Sequence, residues 1–360
     1  MARTALSAGR TLLVSGPASL TLIEGEATVL GAPVEREERL LVREEKQIAV
    51  EAATDSVFET SLGENATCTD IEGTTIPTSW KNLADAVLET PCPKILTVGD
   101  VDSGKSTLCT YLANMLLDKY PSVSVIDADV GQSDIGPPAT IGLGVTDGCL
   151  LSLADLNLIS MFFVGHTSPA AVTDKIISGI RKLTQLPPAG RDPLIINTDG
   201  WVAGDEACAF KARMIDEIHP DLVAAIGSDY VNPIVDVVRA TTIKVRSPSV
   251  IRKRNREERR KLREFSYRKH LEGSVTRHVE FNRTRLRGAE VRNGRLIGAT
   301  QKLRSIVGFL NDDDFLLDIG ILKGVEQGNG ILRIYTPFKK PVSAVEFGAV
   351  KLDESGKEFP

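Results

Sequence analysis

Cysteine is sparse in this sequence: Cys68, Cys92, Cys109, Cys149 and Cys208 are odd in number, widely spread and form no C-x-x-C pair. That excludes a disulfide framework or a zinc site as the organising device and suits buried thiols in a reducing compartment. Long apolar runs free of charge are missing too. Asp147 and Asp155 interrupt the best one, around residues 141 to 165, which excludes a membrane span there. The N-terminus carries Arg3 and Arg10 without the core of a secretory leader, so a cytoplasmic location and no membrane partner are expected. Overall positive charge is also lacking. A formal net charge of -5 excludes a uniformly basic nucleic-acid coat, so any contact with nucleic acid has to come from a local patch. No internal repeat or low-complexity tract occurs, and 360 residues are enough for two or three domains with a full core.

Residues 18 to 52 contain short alternating runs broken by Gly, Pro and charged turns, the pattern of antiparallel strands. A small β domain is expected over residues 1–80. From Lys81 the rhythm changes to apolar strands followed by helices, as in "KILTV", "SVSVI", "MFFVG", "PLIIN" and "LVAAI". This alternation predicts an α/β core, a parallel sheet covered on both faces, over residues 81–274. Beyond residue 275 short strands return, with an Asn293-Gly294 hairpin and the run "GILRIYTP" after the turn "QGNG". A second small β domain is therefore expected over 275–360. The acidic triplet Asp312 to Asp314 reads as a solvated loop.

The stretch "GDVDSGKST", residues 99 to 107, satisfies G-x-x-x-x-G-K-[ST] between an apolar strand and a helix carrying Leu108, Leu112, Met115 and Leu116 on one face. The context makes it a P-loop. Gly99, Asp100, Val101, Asp102, Ser103, Gly104, Lys105, Ser106 and Thr107 are expected to hold the phosphates of ATP, through backbone N–H groups at a helix N-terminus and the point charge of Lys105. Ser106 is expected to ligate Mg²⁺. In "DADVGQ" the carboxylates Asp127 and Asp129 stand two apart at the end of the next strand, where one can face the metal and the other the acceptor. An Asp so placed also serves as a plain turn former. No Asn-Lys-x-Asp is present for guanine, and the loop lacks the early lysine of ParA-type ATPases.

Residues 251 to 270 hold ten Lys or Arg against three Glu, a local excess of seven positive charges. Such a run is either a solvated helix face or a lid that brings guanidinium groups over a triphosphate. Helical spacing would place Arg254, Arg259 and Arg263 along one side.

Taken together these segments resemble the polynucleotide 5′-hydroxyl kinases of RNA processing: the kinase of the pre-mRNA cleavage complex, its ribosomal-RNA-processing relatives and their archaeal counterparts. "GDVDSGKSTL" is similar to the family P-loop, with Asp100 where proline is usual. The resemblance implies that Asp129 activates the acceptor hydroxyl; beside it, Asp127 is expected to hold the metal, and Gln132 either donates to a substrate phosphate or caps a turn. "GHTSPA" resembles the family clasp and implies polar roles for Thr167 and Ser168; "NTDGWVAG" resembles the segment whose tryptophan stacks on the terminal base, here Trp201. The lid arginines carry over to Arg254, Arg259 and Arg263, in a lid over residues 250–273. The implied activity is transfer of the γ-phosphoryl of ATP to the 5′-hydroxyl of an RNA or DNA end, in the company of RNA-processing proteins, with the N-terminal β domain on the adenine side. A non-catalytic ATP-bound scaffold is the alternative, and a switch ATPase a third.

Overall fold

The structure is a computed structural model that describes residues 2–44, 46–186, 192–227 and 229–359. Its N-terminal part is two small antiparallel sheets. One orders Ala2–Leu6, Ser56–Leu62, Ala18–Glu24 and Arg39–Val42; the other runs from Ala32–Pro33 through Ala27–Val29, Gln47–Ala52 and Arg10–Ser15 to Thr67–Glu72. Alternation along each strand turns Leu12, Val14, Leu20, Leu22, Val50 and Phe58 into one shared core.

The central sheet begins with five parallel strands in the order Thr241–Val245, Leu222–Ile226, Lys94–Gly99, Leu194–Thr198 and Val123–Ala128. The inner three and Val123–Ala128 are buried almost throughout, as strands covered on both faces must be. Their C-terminal ends converge on one edge, the place where α/β sheets bind ligands.

One expectation is corrected here. The "MFFVG" strand, Asn157–Phe163, is not part of the parallel series: it runs antiparallel to Thr140–Thr146, which itself lies antiparallel to Val123–Ala128. It also pairs with Leu316–Glu326 at Met161 and Leu316, so the C-terminal strands continue the central sheet, which reaches 13 strands and is mixed. The acidic triplet is solvated at Asp312 and Asp313, both exposed, and anchored at its end. Asp314 takes both Arg285 and Arg287, and the Asp313 carbonyl accepts Lys182, so the loop is tied down. The Asn293-Gly294 hairpin is present, with both residues at positive φ as a two-residue turn between Val291–Arg292 and Arg295–Leu296 requires.

Helix Lys105–Leu116 follows the P-loop and is buried on more than the apolar face its sequence marks: Cys109, Thr110, Ala113 and Asn114 are covered as well. Helix Thr78–Glu89 and the N-terminal sheets close over it; Asn114 donates to the carbonyls of Leu30 and Leu150 and accepts the Leu150 N–H. Among the described residues no helix is long and apolar enough to cross a membrane.

Candidate active site

The strand Lys94–Gly99 delivers Gly99 to a place with no room for a side chain: a Cβ would lie 2.3 Å from the Ile226 carbonyl and 2.8 Å from Ser103 Oγ. Asp102 and Gly104 adopt φ of 55° and 99°, which folds the loop back over itself and sets Gly104 as the N-cap of helix Lys105–Leu116. The N–H groups of that first turn have no intrahelical acceptor. Ser103 Oγ is buried with no hydrogen-bond partner among the described residues. An anion's oxygens would satisfy both sets of donors. Lys105 Nζ, almost wholly buried, donates to the carbonyls of Gly99 at 3.0 Å and Asp100 at 2.6 Å, which leaves one N–H of the ammonium for a ligand. Burial lowers its pKa, and the charge of Asp129 opposes that shift. A tight glycine turn, orphan donors and one cation fit a polyphosphate.

Both oxygens of Asp127 are engaged. Oδ1 accepts the Asp129 N–H (3.2 Å) and Asn197 Nδ2 (2.9 Å); Oδ2 accepts the N–H groups of Asp134 (2.6 Å) and Ile135 (3.3 Å) and the Ser133 hydroxyl (3.4 Å). Burial pushes this carboxyl up to about 7, helped by the charges of Asp134 and Asp129 and opposed by its hydrogen bonds. Asp127 therefore ties the turn that follows the strand. Asn197, on the neighbouring strand, also donates to Ser106 Oγ at 3.2 Å and so links the P-loop serine to Asp127. Asn197 turns its amide N–H groups to Ser106 and Asp127 and its oxygen to Cys109, so Ser106 Oγ is the oxygen of this group placed to meet a Mg²⁺ whose shell phosphates and water would complete.

Asp129 Oδ1 accepts the N–H groups of Gly131 (3.1 Å) and Gln132 (3.0 Å), an Asx turn that fixes the carboxylate. Its Oδ2 has no hydrogen-bond partner among the described residues. Burial raises its pKa, Lys105 works against the rise and Asp199 adds to it.

The lid departs from its expected register. Its helix spans Arg256–His270 and opens with a capping box between Asn255 and Glu258, so Arg254 lies outside it. Arg254 and Arg259 nonetheless meet at the P-loop: Asp102 Oδ2 accepts the Arg254 N–H at 2.9 Å and Arg259 Nη1 at 3.0 Å. Arg263 does not join them. Its Nε and Nη2 fork onto Glu358 at 2.6 and 2.8 Å, because the C-terminal segment runs along the lid helix. That segment is fastened further by Arg260 to the Glu358 carbonyl and by the Glu358 N–H to Glu264. Gln132 points at the lid too, donating to its own neighbour Gly131 and to the Arg259 carbonyl.

A cleft of about 830 Å³ runs from the N-terminal sheets across the P-loop to the lid, lined among others by Lys46, Lys105, Asp129, Gln132 and Arg254. Lys46 closes an ion pair with Asp134 and so ties the N-terminal sheets to the turn after Asp127. Trp201, Thr167 and Ser168 are not in that lining. Thr167 lies against the Asp129 turn, where Gly131 packs on the Thr167 carbonyl, and Trp201 follows Gly200, which packs on Val101 of the P-loop. His166 Nδ1 accepts the Ser168 N–H and shapes the clasp turn. Trp201 is half-buried, stacked on Phe210 with ring centroids 5.9 Å apart. Its N–H donates to Asp199 Oδ1 at 2.9 Å, and Asp199 Oδ2 pairs with Lys211 at 2.8 Å with both side chains almost fully buried.

Asn197, Asp199, Lys211 and Glu358 escaped the sequence reading. Asn197 and Asp199 stand inside the quoted "NTDGW", but the lysine and glutamate they or the lid need lie on distant elements.

A family model described as the mRNA cleavage and polyadenylation factor CLP1 P-loop matches residues 99–273. Among solved structures, a Clp1p–Pcf11p complex superposes with a TM-score of 0.74 over 97% of each chain at 13% identity, a likeness of fold. A polyribonucleotide 5′-hydroxyl-kinase of Methanocaldococcus jannaschii is 28% identical over 323 residues, 74% of this chain and 89% of the relative. The enzyme of the same name from Pyrococcus furiosus is 30% identical over 317 residues, again 74% of this chain and 89% of the relative. With that likeness across most of both chains, and the P-loop, its lysine and the arginine lid assembled at one cleft, the chain belongs to the polyribonucleotide 5′-hydroxyl-kinase family.

Proposed function

We propose that the protein transfers the γ-phosphoryl group of ATP to the 5′-hydroxyl of a polynucleotide, with RNA as acceptor in keeping with the names of its relatives. The observation that carries this reading is the meeting of three groups at one mouth. Lys105 sits in the cradle, Asp129 acts on it electrostatically, and Asp102 draws Arg254 and Arg259 onto the loop. Phosphoryl transfer asks for little else, since its catalysis is positioning and charge neutralisation.

In this reading the P-loop N–H groups and Lys105 bind the β and γ phosphates, and Ser106 would hold Mg²⁺, which would supply neutralising charge. Asp127, its oxygens already taken, acts through Asn197 and water instead of as a direct ligand. Asp129 orients the incoming hydroxyl and accepts its proton at Oδ2. Arg254 and Arg259 offer guanidinium groups to the transferring phosphoryl, with Asp102 keeping them at the loop until a phosphate competes for them. Arg263 is the anchor between lid and C-terminal segment. Trp201 stacks on the terminal base, backed by Phe210, and Thr167, Ser168 and Gln132 line the acceptor's path. The division of the chain near residues 80 and 274, the adenine side of the first part, a cytoplasmic site of action and RNA-processing partners belong to the same reading.

Labelled γ-phosphate from ATP is expected to appear on a 5′-hydroxyl oligoribonucleotide, and no free phosphate to be released in its absence. Labelled ATP that is bound but never turned over would instead make the protein a scaffold, and hydrolysis without a strand would make it a switch ATPase. Trp201→Ala is expected to weaken oligonucleotide capture by about 1 to 3 kcal/mol with ATP binding unchanged; a fall in ATP binding would mean that Trp201 supports the fold. Arg259→Ala should lower kcat by about a hundredfold or more. Arg263→Ala should show first as a lower melting temperature, because it leaves Glu358 without its fork.

A further inference from the structure

We infer that the buried pair Asp199–Lys211 is a positioning device for the acceptor: it locks the turn 199–201 so that the Trp201 platform and the P-loop tip keep one fixed relation. The inference rests on the reading of Trp201 as the surface that receives the terminal base.

Asp199 follows the end of strand Leu194–Thr198, and Lys211 comes from helix Asp205–Ile218. Every acceptor of Asp199 is in use. Oδ2 takes Lys211 Nζ at 2.8 Å, its carbonyl takes the same ammonium at 3.2 Å, and Oδ1 takes the Trp201 N–H at 2.9 Å. One cation thus clamps the backbone and the side chain of the residue that holds Trp201 by its main chain. Between them Gly200 lies flat on the P-loop. A Cβ there would stand 2.6 Å from the Val101 nitrogen, so any movement of this turn moves against the loop that cradles phosphate. The ring is braced by the same helix: Trp201 stacks on Phe210, and the Lys211 ammonium lies 5.0 Å from the Phe210 centroid. Backbone and indole are therefore both referred to one buried charge.

Filling this volume needs no charge. Removing two ions from water is costly, and apolar residues of similar size commonly replace such a pair without loss of stability. What apolar side chains would not supply is the directed acceptor for the Trp201 N–H. The pair has a further property suited to its place. Asp199 and Lys211 act on Lys105 in opposite directions, so the clamp stands beside the phosphate cradle as a pair of opposed charges.

The test is Asp199→Leu combined with Lys211→Met, apolar and of similar size, which removes the acceptor of the Trp201 N–H together with the charge pair. The protein has two tryptophans, and Trp80 is fully buried, so acrylamide quenching of its fluorescence reports Trp201. The expected result is a cooperatively folding protein with unchanged KM for ATP, an oligonucleotide KM raised about tenfold, and stronger quenching. An unchanged oligonucleotide KM overturns the inference. So does an equal rise in both KM values, which would make the pair a general scaffold. Should the double variant fail to fold, hydrogen exchange in the wild-type protein decides: the Trp201 amide is expected to be as protected as those of strand Leu194–Thr198, and fast exchange overturns the clamp. Wild-type protein that transfers no phosphate to any strand would refute the proposed activity, while the exchange measurement would still judge the clamp.

Discussion

Lys105→Ala is expected to reduce transfer to a 5′-hydroxyl strand by about a thousandfold or more while leaving the fold intact. The ammonium is held inside the loop by two carbonyls, those of Gly99 and Asp100. Arg254 and Arg259 meet the loop at Asp102, on the lid side. The fold should survive because burial works against this charge in the first place, lowering its pKa, and the truncated position sits at the start of a helix packed on nearly all sides. Steady-state transfer at saturating ATP, with a melting curve beside it, checks the result. Turnover persisting near the wild-type rate would remove Lys105 from the chemistry. A collapsed melting temperature would show that its role is to hold the loop carbonyls.

The P-loop was legible because its physics is local: the glycines at positive φ or in close contact, the cation and the following helix lie within one short stretch of chain. The buried parallel strands were legible for a similar reason, since a strand covered on both faces reads as a continuous apolar run. That run does not encode direction, which is why Asn157–Phe163 passed for a parallel strand; only its pairing with Thr140–Thr146 sets it antiparallel. The lid shows the same boundary between local and distant. Helical spacing brought Arg259 and Arg263 to neighbouring positions, but the partner that claims Arg263 arrives at Glu358, near the end of the chain. Asp102, by contrast, was quoted only as part of the phosphate loop, and nothing in a loop residue's identity announces that it will receive arginines from the lid. The carboxylates divide likewise. Their sequence suggested one for metal and one for acceptor, whereas the hydrogen bonds give Asp127 to the turn and leave an oxygen of Asp129 open.

That open oxygen makes Asp129→Asn the sharpest test of the chemistry. Asparagine keeps the size and the Oδ1 acceptor for Gly131 and Gln132, so the Asx turn should persist, yet it offers no base to the hydroxyl. Turnover is expected to fall by about a thousandfold, with the oligonucleotide KM little changed. The pH profile adds an independent sign. Burial and the charge of Asp199 raise the pKa of Asp129 although Lys105 opposes them, so the acid limb of wild-type activity should lie above the ordinary carboxylate range and vanish in the variant's residual activity. Stability should move the other way. A carboxyl whose folded pKa exceeds its unfolded value favours the fold fully below the unfolded pKa and loses that contribution as pH rises through the folded one. Above its folded pKa, ionised Asp129 therefore works against folding, and there removing its charge should leave the melting temperature equal to or higher than that of wild type. A variant that is inactive and less stable would make Asp129 a structural carboxylate; one that is inactive and at least as stable marks a charge kept for the reaction at the expense of the fold.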